Sequence, residues 1–209
     1  AEAGETIKVA SGTYTDVHAR PRNDVFTTGI VTQVVYISKT LTLRGGYTLT
    51  NWVTSDALAN PTTLDARGEG RVLYATGDTS PLVDCVEITG GTADQYPTSD
   101  PAGKSGGGVF AYAAKVAVLN SRVHDNSAAW AGGGIYLNGC HKALVSGNSV
   151  YSNTSGHGGG IGLRSSQDTA VQDNDIFSNT GNYGGGVYAT GRRVMILRNQ
   201  IHGNDADSG

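Results

Sequence analysis

Glycine triplets begin at Gly106, Gly132, Gly158 and Gly184, and every interval between them is 26 residues. A second station keeps the same beat. Asn126, Asn153, Asn179 and Asn204 recur at 27, 26 and 25, inside the runs Val123-His124-Asp125-Asn126, Val150-Tyr151-Ser152-Asn153, Ile176-Phe177-Ser178-Asn179 and Ile201-His202-Gly203-Asn204. A third station is apolar: the pairs Val118-Leu119, Leu144-Val145, Ala170-Val171 and Ile196-Leu197 are spaced by 26. Self-similarity of this length is the signature of a repeat architecture. Gly209 stands five residues after Asn204, where Gly158 and Gly184 stand relative to Asn153 and Asn179, so the sequence stops as a further repeat begins.

A 26-residue unit also suits a leucine-rich horseshoe, which needs several leucines per repeat. Residues 106–157 supply only Leu119, Leu137 and Leu144. Gly, Asn, Ser and β-branched residues dominate instead, and all are poor in helix interiors. Segments such as Ile135-Tyr136-Leu137 and Val187-Tyr188-Ala189 alternate with a period of two, placing Val109, Ala111, Ile135, Leu137, Ile161, Leu163, Val187 and Ala189 on one face. Two to three short strands per repeat, joined by Gly and Asn turns and stacked coil on coil, describe an all-β parallel β-helix. Coils about 4.8 Å apart turn each station into a column. Apolar columns then fill the interior, Asn columns stack their amides along the axis and occupy left-handed corners, and Gly triplets bring coils into close approach.

The whole chain, 1–209, reads as a single β-helix domain with two textures. Residues 106–209 carry the regular repeats. Residues 1–105 form wider coils, with strands at Thr6 to Val9, Val34 to Ile37, Leu41 to Leu43, Val72 to Tyr74 and Leu82 to Ile88. Excursions are expected near 15–29, 48–62 and 92–105, and loops that protrude from a solenoid often carry its function.

Composition narrows the partners. Glycine supplies 31 of 209 residues but proline only 5, which excludes collagen and proline-rich disorder. A net charge of −3 without a basic run points to no nucleic acid and no anionic membrane surface as partner. Apolar runs of four or five residues are too short for a membrane-spanning helix, and no charged-then-apolar signal segment opens the chain. The sequence therefore reads as a mature or excised piece. Two cysteines are too few for a disulfide scaffold. Cys85 occupies the station of Asn120, and Cys140 lies nearly two coils away at another corner, roughly 9 Å, so both are expected as free thiols.

The segments Glu5-Thr6-Ile7-Lys8-Val9-Ala10-Ser11-Gly12-Thr13-Tyr14, Leu41-Thr42-Leu43-Arg44-Gly45-Gly46-Tyr47 and Asn60-Pro61-Thr62-Thr63-Leu64-Asp65-Ala66, with the Gly-Gly-Gly-[Val/Ile] repeats, give the chain its resemblance. It resembles the bacterial extracellular right-handed β-helix repeat proteins of the pectate-lyase-like superfold, over nearly its whole length. The resemblance implies right-handed coils and a location outside the cell or on its surface. It leaves function open, because that superfold hosts polysaccharide lyases, hydrolases and epimerases as well as adhesins, surface-layer proteins and phage spikes.

Candidate chemistry is sparse, and no catalytic residue and no cofactor are assigned. Asp173 and Asp175, two apart, are weak candidates for calcium on one side of a strand. Column counting places Asp175 over Ser149, Arg122 and Glu87, which reads as an outer ladder with a Glu87–Arg122 ion pair. Gly156-His157-Gly158 matches a signature of the superfold's hydrolases, but the paired aspartates that such chemistry needs are absent, and His157 reads as a turn residue. A carbohydrate-active site, if present, is expected among Asp94, Asp100 and Lys104.

Aromatic residues are the more informative set. His124, Tyr151, Phe177 and His202 fall in one outward column. Phe110, Tyr136 and Tyr188 fall in a second, interrupted by Gly162, and Trp130, His157 and Tyr183 occupy the turn between. The expectation is an exposed stacking strip along one edge, serving as a contact surface for other surface proteins, for polysaccharide or for another copy. The uncapped last coil adds a further expectation, end-to-end stacking into filaments or continuation in a longer protein. The leading expectation is an extracellular structural or adhesive solenoid. A carbohydrate-active enzyme and a glycan-binding module are the alternatives.

Overall fold

Short strands broken at fixed corners set the course of the chain in the computed structural model, which describes residues 1–22, 29–94 and 101–208. A representative coil runs through Ile135–Asn138, Leu144–Ser146, Ser149–Tyr151 and Thr154–His157, four strands where two or three were expected. Sheets I to IV are numbered in that order. Each strand pairs in parallel with its counterpart one coil on, as in Ile135↔Ile161, Val145↔Val171, Val150↔Ile176 and Thr154↔Thr180. Among the described residues, sheets I, II and III have seven strands and sheet IV has four. Among the described strands the exception to parallel pairing is His18–Pro21, which lies in the first excursion and runs antiparallel to Ile30–Ile37.

Each inward station becomes a column of apolar side chains. Leu43, Val83, Val118, Val145, Val171 and Ile196 stack in sheet II. Leu64, Ile88, Val123, Val150, Ile176 and Ile201 stack in sheet III. One hydrophobic cluster links these columns from Ile37 to Ile176. The sheet II column corrects the expected spacing, since Val118 lies on Val145 rather than on Leu144. Its intervals share the 27, 26, 25 rhythm of the Asn station, whereas Val109, Ile135, Ile161 and Val187 in sheet I keep to 26. The connection from sheet I to sheet II absorbs the difference, by loop length in one coil and by a register shift between Leu163 and Ser166 in another.

The corners are left-handed, but not at the ladder asparagines as expected. Cys85, Asn120, Gly147, Asp173 and Arg198 turn sheet II into sheet III with φ of 45 to 70°, and Asp125, Ser152, Ser178 and Gly203 turn sheet III into sheet IV with φ of 53 to 59°. The left-handed residue thus precedes the ladder residue by one. The following amide N–H is thereby presented along the solenoid axis, where the next coil's Asn accepts it. Asn126 N donates to Asn153 Oδ1, Asn153 N to Asn179 Oδ1 and Asn179 N to Asn204 Oδ1, at 3.0 to 3.1 Å. Each side-chain amide donates in turn to the next oxygen and back to a carbonyl of the preceding coil, as Asn153 Nδ2 does to Asn179 Oδ1 and Val123 O. A second ladder, Asn148 to Asn174 to Asn199, repeats this at the other corner. Buried amides are tolerated because every side-chain nitrogen and oxygen of the ladder asparagines is partnered.

Within each Gly triplet the roles divide. The first glycine has a positive φ, 59 to 69°. At the third, a Cβ on Gly134 would meet Gly160 O at 2.7 Å, so coil-to-coil approach excludes any side chain.

In the N-terminal coils the expected strand Leu82 to Ile88 is two strands, Leu82–Asp84 and Glu87–Thr89, because Cys85 is a corner. Cys140 is buried in the core and Cys85 is half-buried, and both are free thiols. Burial pushes the Cys140 thiol up to about 11. The 48–62 excursion holds its own turns, Asn51 Oδ1 accepting from Val53 N at 2.9 Å and Asp56 Oδ1 from Leu58 N at 3.0 Å. The 92–105 excursion interrupts a sheet IV strand: Thr92 and Ser105 still bridge to Ser127 and Ala131. Its Tyr96-to-Asp100 stretch lies outside the described residues.

Candidate contact surface

The outward stations carry the aromatic residues, and the structure splits them into three groups. On sheet III, His124, Tyr151, Phe177 and His202 form the expected column, with ring centroids 4.7, 5.0 and 5.5 Å apart and planes within 9° of parallel. Parallel in-register strands dictate this, since each ring sits one coil spacing from the next. The first three are half-buried by one another and His202 is exposed.

Carboxylates flank both ends of this column. His124 Nε2 lies 2.9 Å from Glu87 Oε1 and Nδ1 2.7 Å from Asp125 Oδ2. His202 Nε2 lies 3.0 Å from Asp175 Oδ1. The outer ladder Glu87, Arg122, Ser149, Asp175 is as column counting places it, with Arg122 and Glu87 3.1 Å apart. Burial acts to raise the Glu87 carboxyl, but the Thr63 hydroxyl, His124 and Arg122 together outweigh it and hold the group below its ordinary value.

On sheet IV, Trp130, His157 and Tyr183 stack at 5.1 and 5.0 Å, with Trp130 and Tyr183 exposed. His157, the centre of the Gly-His-Gly run, also meets the Tyr188 ring edge-on at 5.0 Å, and its Nδ1 lies 3.1 Å from Trp130 O. It is a packed member of the aromatic column.

On sheet I the expectation of an exposed strip fails for two residues. Phe110 and Tyr136 do point away from the solenoid interior, but they are 0% and 1% exposed. They belong to a second apolar cluster with Val31, Tyr74, Ala102 and Ala131. Its cover is the return of the 92–105 excursion, held by Arg71. That guanidinium is 1% exposed and donates to Ser105 O at 3.0 Å, Ala102 O at 3.2 Å and Gly103 O at 2.6 Å. It also lies over the Phe110 ring at 5.0 Å. Carbonyl partners and aromatic faces replace the water that a buried cation loses. Position-by-position reading missed Arg71; its one signal is a charge at the first position of a strand otherwise apolar from Val72 to Ala75.

The sheet I column itself is longer than expected. Tyr36, Tyr74, Phe110 and Tyr136 follow in register, with centroids 5.5, 4.9 and 5.8 Å apart, then Gly162, then Tyr188. Beside the missing ring lies a cleft of about 250 Å³ lined by Trp130, Tyr136, His157, Arg164, Tyr188 and Thr190.

Asp173 and Asp175 do not share a strand as expected. Asp173 is a left-handed corner residue in a bidentate pair with Arg198, at 2.7 and 2.8 Å, and Asp175 begins the next strand. The Arg198 hydrogen bond holds the Asp173 carboxyl below the usual carboxylate range. Both carboxylates therefore already face a basic partner. Among the described residues, no group of three or more His, Cys, Asp or Glu side chains is arranged to hold a metal ion. Asp94 accepts a 3.5 Å contact from Ser127 Oγ, and Lys104 offers its carbonyl to Trp130 N. Asp100 lies outside the described residues.

Among the described residues, no helix is long and apolar enough to cross a membrane. The family model of the right-handed β-helix region matches residues 68–208. No curated protein and no solved structure matches the chain.

Proposed function

The chain belongs to the right-handed β-helix family, and on that scaffold we propose that it is an extracellular structural or adhesive module, with its lateral aromatic columns as the contact surface. The carrying observation is the pair of neighbouring columns, His124-Tyr151-Phe177-His202 on sheet III and Trp130-His157-Tyr183 on sheet IV. They line successive coils on faces that no described segment covers over Trp130 and Tyr183, which are 41% and 49% exposed. Aromatic rings presented in rows on a rigid rod provide contact area at little entropic cost. The placement outside the cell and the bacterial source follow the family resemblance. Partners consistent with the surface are other surface proteins, polysaccharide or a second copy.

The test compares the protein with its Trp130→Ala/Tyr183→Ala variant by surface plasmon resonance over immobilised copies of the chain, extracellular-matrix proteins and neutral and acidic polysaccharides. The expected result is retention on one class of surface, weakened at least about tenfold in the variant at unchanged melting temperature. Equal retention of both proteins, or release of new reducing ends or unsaturated products from the polysaccharides, would replace this reading with the enzymatic one.

A second reading concerns the axis. Coils that pair in parallel, edge to edge, can be extended by a second copy in the same way, which is the end-to-end stacking reading. Negative-stain electron microscopy over a concentration series separates the two: fibres indicate end-to-end assembly, and dispersed short rods indicate none.

A further inference from the structure

A ladder of rings with one rung removed offers a place for a ring that is not part of the chain. In sheet I the order Tyr36, Tyr74, Phe110, Tyr136, Gly162, Tyr188 is continuous in register, and every adjacent ring pair up to Tyr136 is 4.9 to 5.8 Å apart. Gly162 puts no side chain between Tyr136 and Tyr188, which are two coils apart. The base of the gap is closed, since a Cβ on residue 162 would meet Gly132 N at 2.9 Å and Tyr136 Cδ2 at 3.1 Å, so the opening lies farther out, beside the Tyr136 and Tyr188 rings. The cleft of about 250 Å³ is what remains. Drug-sized ligands fill pockets of roughly 300 Å³ and more, so this one suits a single ring with a short arm.

The charged group on its rim is a donor. Arg164 is exposed on the rim and makes no ion pair with another described residue, and no carboxylate lines the cleft. The Tyr136 hydroxyl is buried without a hydrogen-bond partner; Arg164 and Ser105 lie near it, but neither meets hydrogen-bond geometry. The Thr190 hydroxyl donates to Leu163 O at 3.3 Å and so faces the cleft as an acceptor. Aromatic walls from Tyr136, Tyr188, His157 and Trp130 favour a flat, polarisable face. A guanidinium without a carboxylate partner favours one, which it binds through two parallel N–H donors.

We propose that the cleft between Tyr136 and Tyr188 is a binding site for one planar aromatic ring bearing a carboxylate, the ring packing against Tyr188, His157 and Trp130 and the carboxylate meeting Arg164. A free aromatic acid and an aromatic side chain beside an acidic one in a partner polypeptide share this chemistry. The inference rests on the contact-surface reading, since Trp130, His157 and Tyr188 belong to that surface.

The experiment is ligand-observed saturation-transfer NMR on the full chain with phenylacetate and with a capped aspartyl-tyrosine dipeptide. Cyclohexylacetate and glucuronate serve as controls for a saturated ring and a sugar acid. Phenylacetate is expected to bind with a Kd on the order of 1 mM and cyclohexylacetate at least about fivefold more weakly. Arg164→Gln is expected to weaken phenylacetate about tenfold and Tyr188→Leu about fivefold, while Arg164→Lys retains part of the affinity. Tighter binding of the dipeptide identifies a polypeptide source, and tighter binding of phenylacetate a free acid. The proposal is overturned if no aromatic probe binds at 20 mM (about twentyfold above the expected Kd), if cyclohexylacetate or glucuronate binds as well, or if Arg164→Gln changes nothing. Surface retention abolished by Trp130→Ala/Tyr183→Ala with no aromatic-acid binding defeats this site alone. Aromatic-acid binding with retention unaffected defeats the wider contact surface instead.

Discussion

Residues 106–208 and the coils before them build the same solenoid by different means. In the regular half, two asparagine ladders carry the stacking, and each rung repeats the bonds of the one before. The ladders stop at the junction: Asn126 Oδ1 accepts from Gly91 N, and Ser121 Oγ from Val86 N, and among the described residues no Asn continues the row in the earlier coils. There, single-use contacts take over. Arg44 pairs with Asp84 at 2.8 Å, Thr62 Oγ1 accepts from Gly46 N and donates to Ala10 O, and Arg71 fastens the 101–105 segment. A repeated rung makes coils alike, so it leaves little room for insertions. One-off contacts let each coil differ in length, and the three excursions all lie in that half.

By this contrast Asn153→Ala has the largest effect. It removes an acceptor for both Asn126 N and Nδ2 and a donor to Val123 O and Asn179, leaving several buried groups unpaired. A loss of about 3 to 4 kcal/mol is expected in urea unfolding, and a smaller loss for Asn204→Ala in the last coil. Equal losses at the two sites would mean that the ladder does not carry the stacking.

Arg71→Met comes next, at about 2 kcal/mol. Its signature is local: hydrogen exchange should quicken at the Trp130 amide, which donates to Lys104 O, and not at the Ile161 amide in the regular half. Quickening at both would tie the cover to the whole rod.

Smaller still is the contribution of Glu87. Its carboxyl lies below its ordinary 4.5 in the folded chain, so the stability it confers is present above that value and is lost as pH falls through the lowered native value. Glu87→Gln should flatten the stability curve between about pH 5 and 3. A variant that kept the wild-type slope in that window would move the acid sensitivity to other carboxylates.

The smallest effect has the opposite sign. Ser152 is a corner residue at φ +53°, and Ser152→Gly should raise the melting temperature slightly, by up to about 1 kcal/mol of stability. A fall would mean that the serine makes a contact worth more than the backbone strain.

The regular half was largely legible in advance. Its stations predicted the parallel stacking, the inward columns and the sheet III ring column, because each depends only on residues one repeat apart. Two readings slipped by a single residue. The left-handed corner fell on Asp125 rather than Asn126, because Asn is needed for its amide at the ladder, and a corner accepts Asp, Ser or Gly as readily. Val118 paired with Val145 because a connecting loop, which bears no repeat signal, lengthened by one. The second ladder at Asn148, Asn174 and Asn199 was visible in the spacing but lay beneath the stronger glycine and Asn126 signals.

Along the chain, then, the sequence by itself determined the coil, its period, which side chains point in and which point out, and the vacant rung at Gly162. Outward is not the same as exposed. Only the tertiary structure decided that Phe110 and Tyr136 lie under cover while Trp130 and Tyr183 do not. Periodicity records contacts between equivalent residues in successive coils, whereas the cover depends on Arg71 reaching carbonyls 31 to 34 residues away in a segment that belongs to no repeat.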